Sequence, residues 1–118
     1  RGTVIVFHYP LVPSEYFIKR VVGLPGETIS IHNGEVTIQT IDSKKILLEE
    51  KYLARGTVTT GDIEIKIPEK NFFVLGDNRN FSSDSRRWGL LPQDLVTGRA
   101  LVRLWPLEKI GVIKAVNY

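Results

Sequence analysis

The stretch 16-YFIKRVVGLPGE-27 places two charged side chains in the middle of a run that is otherwise typical of a buried strand. Because side chains alternate between the two faces of a strand, Lys19 is predicted to share one face with Phe17 and Val21. Arg20 then lies on the other face. If both faces are covered, each charge needs a specific partner, or the lysine must lose its proton. An edge strand whose lysine faces water and blocks aggregation is the simpler alternative.

Length and composition bound the class of protein. The chain has 118 residues, enough for one domain with a core and too few for two ordinary domains. Its 42% hydrophobic and 25% charged residues are typical of a globular protein. The formal charge of +3 fits weak attraction to anionic lipid or nucleic acid and indicates neither one. The absence of cysteine excludes disulfides, thiolate metal sites and cysteine nucleophiles.

The start of the chain indicates a piece of a longer polypeptide. The chain contains no Met, and Arg1 leads directly into the strand-like run 3–7. No apolar run reaches the length of about 18 residues that a membrane-spanning helix needs. Any signal peptide or membrane anchor is therefore expected outside these 118 residues.

The hydrophobic pattern predicts an all-β fold of mainly antiparallel, coiled sheets, with at most a few short helical turns. We expect a single domain over residues 1–118, with a variable β-rich insert at about 28–70. In this insert, Asn33-Gly34 between alternating apolar residues predicts a hairpin with a type I′ turn. Residues 46–56 fit either a helical turn or a strand followed by a loop. Strands are also predicted at 3–9, 16–23, 63–67, 71–75 and 98–107, with Pro10 and Pro13 as breaks after the first and a helical turn at 91–96.

A long polar loop occupies residues 76–89, where a simple strand connection needs only about two to five residues. Longer loops that are dense in polar groups often carry functional side chains. A solvated loop with weak ion pairs is one alternative. A basic, aromatic nucleic-acid surface around Trp88 is another, but Asp77 and Asp84 would neutralise the charge that phosphates require. Nucleic acid is therefore not an expected partner.

Lys19 and a serine of this loop together predict a Ser–Lys site. Burial lowers the pKa of a lysine because the charged form loses hydration. A drop from about 10.4 to about 7 corresponds to roughly 4–5 kcal/mol, a scale that burial supplies. A neutral lysine acts as a general base for a serine hydroxyl. Arg20, on the opposite face, keeps its charge and requires a carboxylate, which the same loop offers.

The two histidines are weaker candidates for catalysis or metal binding. His8 lies at a strand end and His32 lies beside the hairpin turn. A catalytic triad needs a histidine next to a serine and a carboxylate, and the sequence gives no sign of one. A zinc site would need carboxylates in place of the absent cysteines. Neither a metal nor a cofactor is predicted.

Four blocks of the sequence resemble type I signal peptidases, membrane-bound Ser–Lys endopeptidases that cut signal peptides from exported proteins. They follow the family's order, and Thr3 stands where that family usually has Asp. The segment of about 33–70 matches only as a variable β-rich insert. The four blocks are RGTVIVF (1–7), FIKRVVGLPGETI (17–29), VLGDNRNFSSDSRRWGLLP (74–92) and GRALVRLWP (98–106).

The resemblance implies a role for each candidate site residue. Lys19 would be the general base, and Ser82 would be the hydroxyl that orients it. Phe17 would lie at the small P1 pocket, with Val6 and Ile18 near the P3 pocket. The residues implied to support the site are Arg20 paired with Asp77, Asp84 paired with Arg86, and Arg79.

The family's nucleophile belongs to a Ser-Met-x-Pro-Thr block that follows a membrane anchor and precedes the Arg-Gly block. Nothing in this chain matches that block, and Ser14 has different neighbours. The resemblance therefore implies an inactive fragment of a catalytic domain from the outer (trans) side of the cell membrane. Its partners would be the signal peptides of secreted precursors and the lipid surface, for which Phe81, Trp88 and Trp105 are candidate contacts.

Two other interpretations stay open from the sequence. One is a catalytically inactive β-domain that binds extended peptides by strand addition. The other is a different Ser–Lys protease, such as an inner-membrane protease of organelles or a self-cleaving repressor. The detailed match at 74–92 disfavours the repressor.

Overall fold

Two antiparallel sheets form the framework of residues 1–99, the part of the chain that the computed structural model describes. The all-β prediction is confirmed, with one short helix, α1 (Ser85–Trp88), and a 3₁₀ turn at Gln93–Leu95. None of the helices in residues 1–99 has the length and apolar character needed to cross a bilayer.

The first sheet has the order β8-β7-β2-β1-β9 and contains β1 (Val4–Tyr9), β2 (Val12–Gly23), β7 (Asn71–Leu75), β8 (Leu91–Pro92) and β9 (Val96–Arg99). The second has the order β5-β4-β3-β6 and contains β3 (Thr28–His32), β4 (Glu35–Gln39), β5 (Lys45–Leu47) and β6 (Ile63–Lys66).

Strand β2 carries both charged residues and lies at the centre of the first sheet. Within residues 1–99, its first part up to Lys19 pairs with β1 alone, whereas Arg20 and the residues after it also pair with β7. Val21 belongs to a core that Trp88 of α1 borders, and Val22 belongs to the core shared with the second sheet. Both faces of β2 are therefore covered where β7 joins it. Arg20 is only 6% exposed, and Lys19, which the edge-strand alternative places in water, is half-buried.

The second sheet lies within the segment that the sequence assigns to the insert. Alternate residues of β3 and β4, including Ile29, Ile31 and Ile38, are fully buried against the first sheet. Asn33 (φ 52°) and Gly34 (φ 80°) take the left-handed conformations that a type I′ turn requires. The predicted hairpin is present, and its apolar rows form the larger of the two cores.

Some predicted boundaries differ from the observed ones. Pro13 lies inside β2 and does not end a strand, because this end of β2 has a side without a pairing strand among the described residues. Proline, which lacks an N–H, is tolerated on such an edge. Residues 46–56 hold the end of β5 followed by turns, and they contain no helix. The predicted strand 98–107 begins earlier, with β9 at Val96, and its remainder lies outside the described residues.

Candidate active site

The amine of Lys19 and the hydroxyl of Ser82 meet at the point where β7 joins β2. Lys19 Nζ donates to Ser82 Oγ at 3.0 Å, although 63 positions separate the two residues in the sequence. Ser82 lies in the loop between β7 and α1, residues 76–84, which we call the site loop. The ring centroid of Phe17 lies 5.5 Å from the same nitrogen. The fold thus brings together the base and the orienting hydroxyl that the resemblance implies.

Burial lowers the pKa of Lys19, because its ammonium group loses hydration. The negative charges of Asp84 and Asp77 oppose this effect, and the positive charge of Arg86 adds to it. The net result is a pKa below the ordinary lysine value of 10.5. An amine that loses its proton more readily is chemically suited to accept one from a hydroxyl group.

Gly76, the first residue of the site loop, leaves the space that this contact needs. A Cβ atom at this position would lie 1.9 Å from Ser82 Oγ and 3.3 Å from Lys19 Nζ. The first distance is far below any real van der Waals contact, so any other side chain would displace the serine. Close approach of the backbone to the two functional groups therefore requires glycine.

Arg20 pairs with Asp77 on the opposite face of β2 from Lys19. Its Nε and Nη2 donate to the two carboxylate oxygens of Asp77 at 2.9 and 2.7 Å. Its Nη1 donates to the carbonyl of Gly2 at 2.9 Å, and the ring centroid of Tyr52 lies 3.9 Å from Cζ. The guanidinium is buried, whereas the Asp77 side chain is 43% exposed. The ion pair predicted from the sequence is present. It fixes the position of Asp77, the residue that follows Gly76 in the site loop.

Asp84, at the other end of the site loop, is fully buried and accepts four hydrogen bonds. Two come from the Arg86 side chain at 2.9 and 2.8 Å, one from the Arg86 N–H and one from the Gly76 N–H, both at 3.1 Å. Burial alone would raise the pKa of Asp84, but these hydrogen bonds and the charge of Arg86 outweigh it and lower the pKa. Asp84 also caps α1, so it fixes both ends of the loop.

Arg79, in the middle of the site loop, takes its carboxylate partner from outside the loop. The fully buried guanidinium forms two hydrogen bonds with Glu50, at 2.8 and 2.6 Å, and one with Thr59 Oγ1 at 2.6 Å. Sequence reasoning missed Glu50, Thr59 and Tyr52, because they lie in the irregular part of the insert. One signal was available: the resemblance had already assigned Asp77 and Asp84 to other arginines.

Comparison with known proteins gives the same assignment as the motifs. The profile of the family described as "Signal peptidase, peptidase S26" matches residues 1–105. The chain belongs to this signal peptidase family. It is 44% identical over 118 residues to "Signal peptidase I" of Leptolyngbya laminosa, covering 94% of this chain and 55% of that protein. It is 32% identical over 126 residues to "Signal peptidase IB" of Staphylococcus aureus strain Mu50, covering 92% and 62%.

A solved structure agrees with this family. The crystal structure of a signal peptidase I from Enterococcus faecalis V583 matches with a TM-score of 0.70 and 30% identity, over 84% of this chain and 93% of that one. The resemblance read from the four sequence blocks is confirmed. The chain spans about half the length of the first two curated signal peptidases that it matches, 55% and 42%.

The implied substrate-wall residues of this signal peptidase chain lie on β1 and β2 around Lys19. Val6 and Ile18 are directly opposite each other in the strand pair, and by alternation they lie on the face away from Lys19. Phe17 shares the face of Lys19 and stacks on Tyr9 with 4.3 Å between ring centroids. The three residues therefore lie on two opposite faces of the β1–β2 strand pair and do not form one cluster.

The candidate lipid contacts separate in the structure. Trp88 packs into the core, with ring centroids 5.9 Å from Phe7 and 5.8 Å from Tyr9, so core packing describes it better than a lipid-facing position. Phe81, in the site loop, is 87% exposed. Trp105 lies outside the described residues. Residues 1–99 contain no group of three or more histidine or carboxylate side chains arranged to hold a metal ion.

Proposed function

We propose that this chain is part of the catalytic domain of a type I signal peptidase, a serine endopeptidase that removes signal peptides from exported precursors. The observation that carries the proposal is the 3.0 Å contact between Ser82 Oγ and the half-buried Lys19 Nζ. Membership of the signal peptidase family and the lowered pKa of Lys19 support it. Lys19 is the general base, and Ser82 is the residue that orients its amine.

The arrangement supports a two-step hydrolysis through an acyl-enzyme. Neutral Lys19 takes the proton of the nucleophilic serine as that oxygen attacks the scissile carbonyl, and then gives the proton to the leaving amine. A water molecule activated by the same amine hydrolyses the ester. Ser82 holds one side of the amine, and this fixes the direction of the lone pair. The Arg20–Asp77 and Asp84–Arg86 ion pairs hold the strand and loop that carry Lys19 and Ser82.

We assign the nucleophile to a serine of the full-length protein that precedes Arg1. In signal peptidases of this type the nucleophile block comes before the Arg-Gly block, and no part of the 118 residues resembles it. Ser82 is the alternative nucleophile, because it already lies beside the amine of Lys19. An assay that compares the two serines separates these assignments.

The substrate would bind as an extended peptide along β2. The backbone from Tyr16 to Lys19 pairs with β1 alone within the described part of the chain, so its other edge is available for strand addition. This edge leads directly to Lys19, with Phe17 beside the P1 position and Val6 and Ile18 near P3. The full-length protein would be anchored in the cell membrane, with this domain on the trans side.

A fluorogenic signal-peptide assay tests the proposal. We expect the full-length protein to cleave after a small residue, alanine replacement of the upstream serine to abolish turnover, and the chain 1–118 alone to be inactive. Ser82→Ala should leave weak activity, about a hundredfold reduced, since it removes orientation but not the nucleophile. If the chain 1–118 alone cleaved at a comparable rate, a serine within residues 1–118 would be the nucleophile, with Ser82 as the first candidate. Peptide binding by the full-length protein without cleavage would favour the inactive peptide-binding domain.

A further inference from the structure

Two residues of the insert connect the ion pairs beneath the proposed catalytic site. Glu50 accepts two hydrogen bonds from Arg79, and Tyr52 places its ring over the guanidinium of Arg20, 3.9 Å from Cζ to the ring centroid. The Tyr52 hydroxyl donates to Glu50 Oε2 at 2.5 Å. A carboxylate and an aromatic ring from one short turn thus join the arginine of β2 to the arginine of the site loop.

Arg79 connects Glu50 to other parts of the site loop. Its Nε donates to the carbonyl of Gly76 at 2.8 Å, and its own carbonyl accepts from Arg86 Nη2 at 2.8 Å. The side chain is fully buried, and within residues 1–99 Glu50 is the carboxylate that forms an ion pair with it. A buried guanidinium that loses its carboxylate is strongly disfavoured. The loop conformation that places Gly76 and Ser82 therefore depends on Glu50.

Arg20 connects the same turn to the other half of the site. It is the direct neighbour of Lys19 on β2, and its pairing with Asp77 fixes the second residue of the site loop. The Tyr52 ring covers the guanidinium on the side of the insert, in a cation–π arrangement. Lys19 and Ser82 are thus carried by two segments that this turn holds against each other.

We propose that Glu50 and Tyr52 are positioning residues for the Ser–Lys pair, which they serve by fixing the site loop relative to β2. The irregular part of the insert is then a functional part of the site and not only a decoration of the fold. This inference rests on the proposed Ser–Lys function. It adds two residues that act through Arg79 and Arg20 and do not touch the reacting atoms.

Glu50→Gln in the full-length protein tests the proposal, with Glu49→Gln as the matched control. Glu49 is the preceding residue, is 81% exposed and pairs only with the equally exposed Lys51 in the described chain. We expect Glu50→Gln to lower kcat for a signal-peptide substrate about thirtyfold to a hundredfold, because small displacements of catalytic groups have effects of this size. KM should change by less than about threefold, since the substrate edge of β2 is untouched. Glu49→Gln should match the wild type in both constants.

The pH profile separates positioning from a purely structural role. If the site loop moves away, Lys19 gains hydration and its pKa rises, so the fall of kcat at low pH should begin at a higher pH than in the wild type. The proposal would be overturned by a variant whose Tm is lower but whose kcat, measured below that Tm, is unchanged. The pH dependence of its kcat at low pH would also have to match the wild type.

Tyr52 supplies a second pair of variants in case Glu50→Gln does not fold. Tyr52→Phe keeps the ring over Arg20 and loses only the hydroxyl contact, so kcat should fall by less than about fivefold. Tyr52→Leu removes both contacts and should resemble Glu50→Gln in kcat and in the acid limb. Wild-type kinetics in a folded Tyr52→Leu protein would contradict the assignment.

An NMR titration of 13C-dimethylated Lys19 gives a readout that does not need catalysis. The pKa of Lys19 should rise in Glu50→Gln and in Tyr52→Leu, and it should stay at the wild-type value in Glu49→Gln. If the wild-type protein failed to cleave signal peptides but these shifts were present, the proposed function would fail and the positioning role would stand. Unchanged titration in both variants would overturn the positioning role, whatever the activity.

Discussion

The β3–β4 hairpin and the site loop are held by different kinds of interaction. The hairpin forms a continuous backbone ladder from Thr28–Gln39 to His32–Glu35, and its apolar residues are buried in one row on each strand. The site loop is held by the side chains of Asp84, Arg79 and Arg86, and its partners come from β2, from the insert and from α1.

The two kinds of interaction predict different effects of mutation. The hairpin is local, so damage to its turn should lower the stability of the fold and leave the geometry of the site unchanged. The site loop is built from contacts between distant segments, so changes there should lower kcat whether or not they also lower stability. Substitutions in the two regions test this contrast.

Lys19→Arg should remove activity from the full-length protein, by a factor on the order of 10⁴ or more, as expected for a member of a catalytic unit. A guanidinium does not give up its proton near neutral pH. In the wild type, kcat should rise with pH as Lys19 loses its proton, with an acid limb below the ordinary lysine value of 10.5. Initial rates at several pH values provide the measurement, and substantial turnover of Lys19→Arg would remove the base assignment.

Gly76→Ala should lower kcat about a hundredfold to a thousandfold, because the new methyl group occupies the position of Ser82 Oγ. Gly98→Ala in β9 is the matched control, since a Cβ there meets no atom of residues 1–99 within 4 Å. A crystal structure of Gly76→Ala should show Ser82 moved away from Lys19. Equal rates for the two variants would show that the site loop adjusts more easily than its packing indicates.

Asp77→Ala should destabilise the protein by about 2 kcal/mol, between the values typical of exposed and of fully buried pairs. The reason is that Arg20 stays buried without its carboxylate, although Asp77 itself is partly exposed. Chemical denaturation provides the free energy of unfolding. Asp62→Ala is the control, because Asp62 is 86% exposed in its pair with His32, and it should change stability by less than about 0.5 kcal/mol.

Gly34→Ala should cost about 1–2 kcal/mol of stability, since alanine is strained at the left-handed φ of 80°. The new Cβ would also lie 3.2 Å from Val58 Cβ. The kcat of the full-length protein should change less than in Gly76→Ala, because the turn reaches the site loop indirectly, through Thr59, whose N–H donates to the Gly34 carbonyl and whose hydroxyl accepts from Arg79. A large loss of kcat would show that the insert sheet and the site are coupled more tightly than the contacts indicate.

Phe81→Ser should have the smallest effect on the fold, within about 0.5 kcal/mol, since the ring is almost fully exposed. If Phe81 contacts lipid, the variant should co-sediment less with anionic vesicles than the wild type. Binding that is unchanged in this variant would assign any membrane affinity to other residues. Trp88, packed beside Phe7, should show no change in fluorescence on vesicle addition.

Features that depend on only a few neighbouring residues could be predicted from the sequence. Asn33-Gly34 predicted the hairpin turn, and alternating isoleucines predicted the buried rows of β3 and β4. The helix α1 was missed within the predicted polar loop, because Ser85–Trp88 is a single turn whose start depends on the Asp84 cap. Pro13 was misread as a strand break, because the absence of a neighbouring strand on one side cannot be seen in the local sequence.

Local sequence patterns were enough to predict the all-β class, the pairing of a strand-borne lysine with a serine-rich loop, and the membership of the signal peptidase family. Those features depend on alternation and on motifs whose residues are close together in the chain. The folded structure was needed to show that Lys19 Nζ lies 3.0 Å from Ser82 Oγ and that Glu50 is the partner of Arg79. A buried charge can pair only with an opposite charge that lies beside it in the folded protein. Segments far apart in the sequence come together only when the sheets pack.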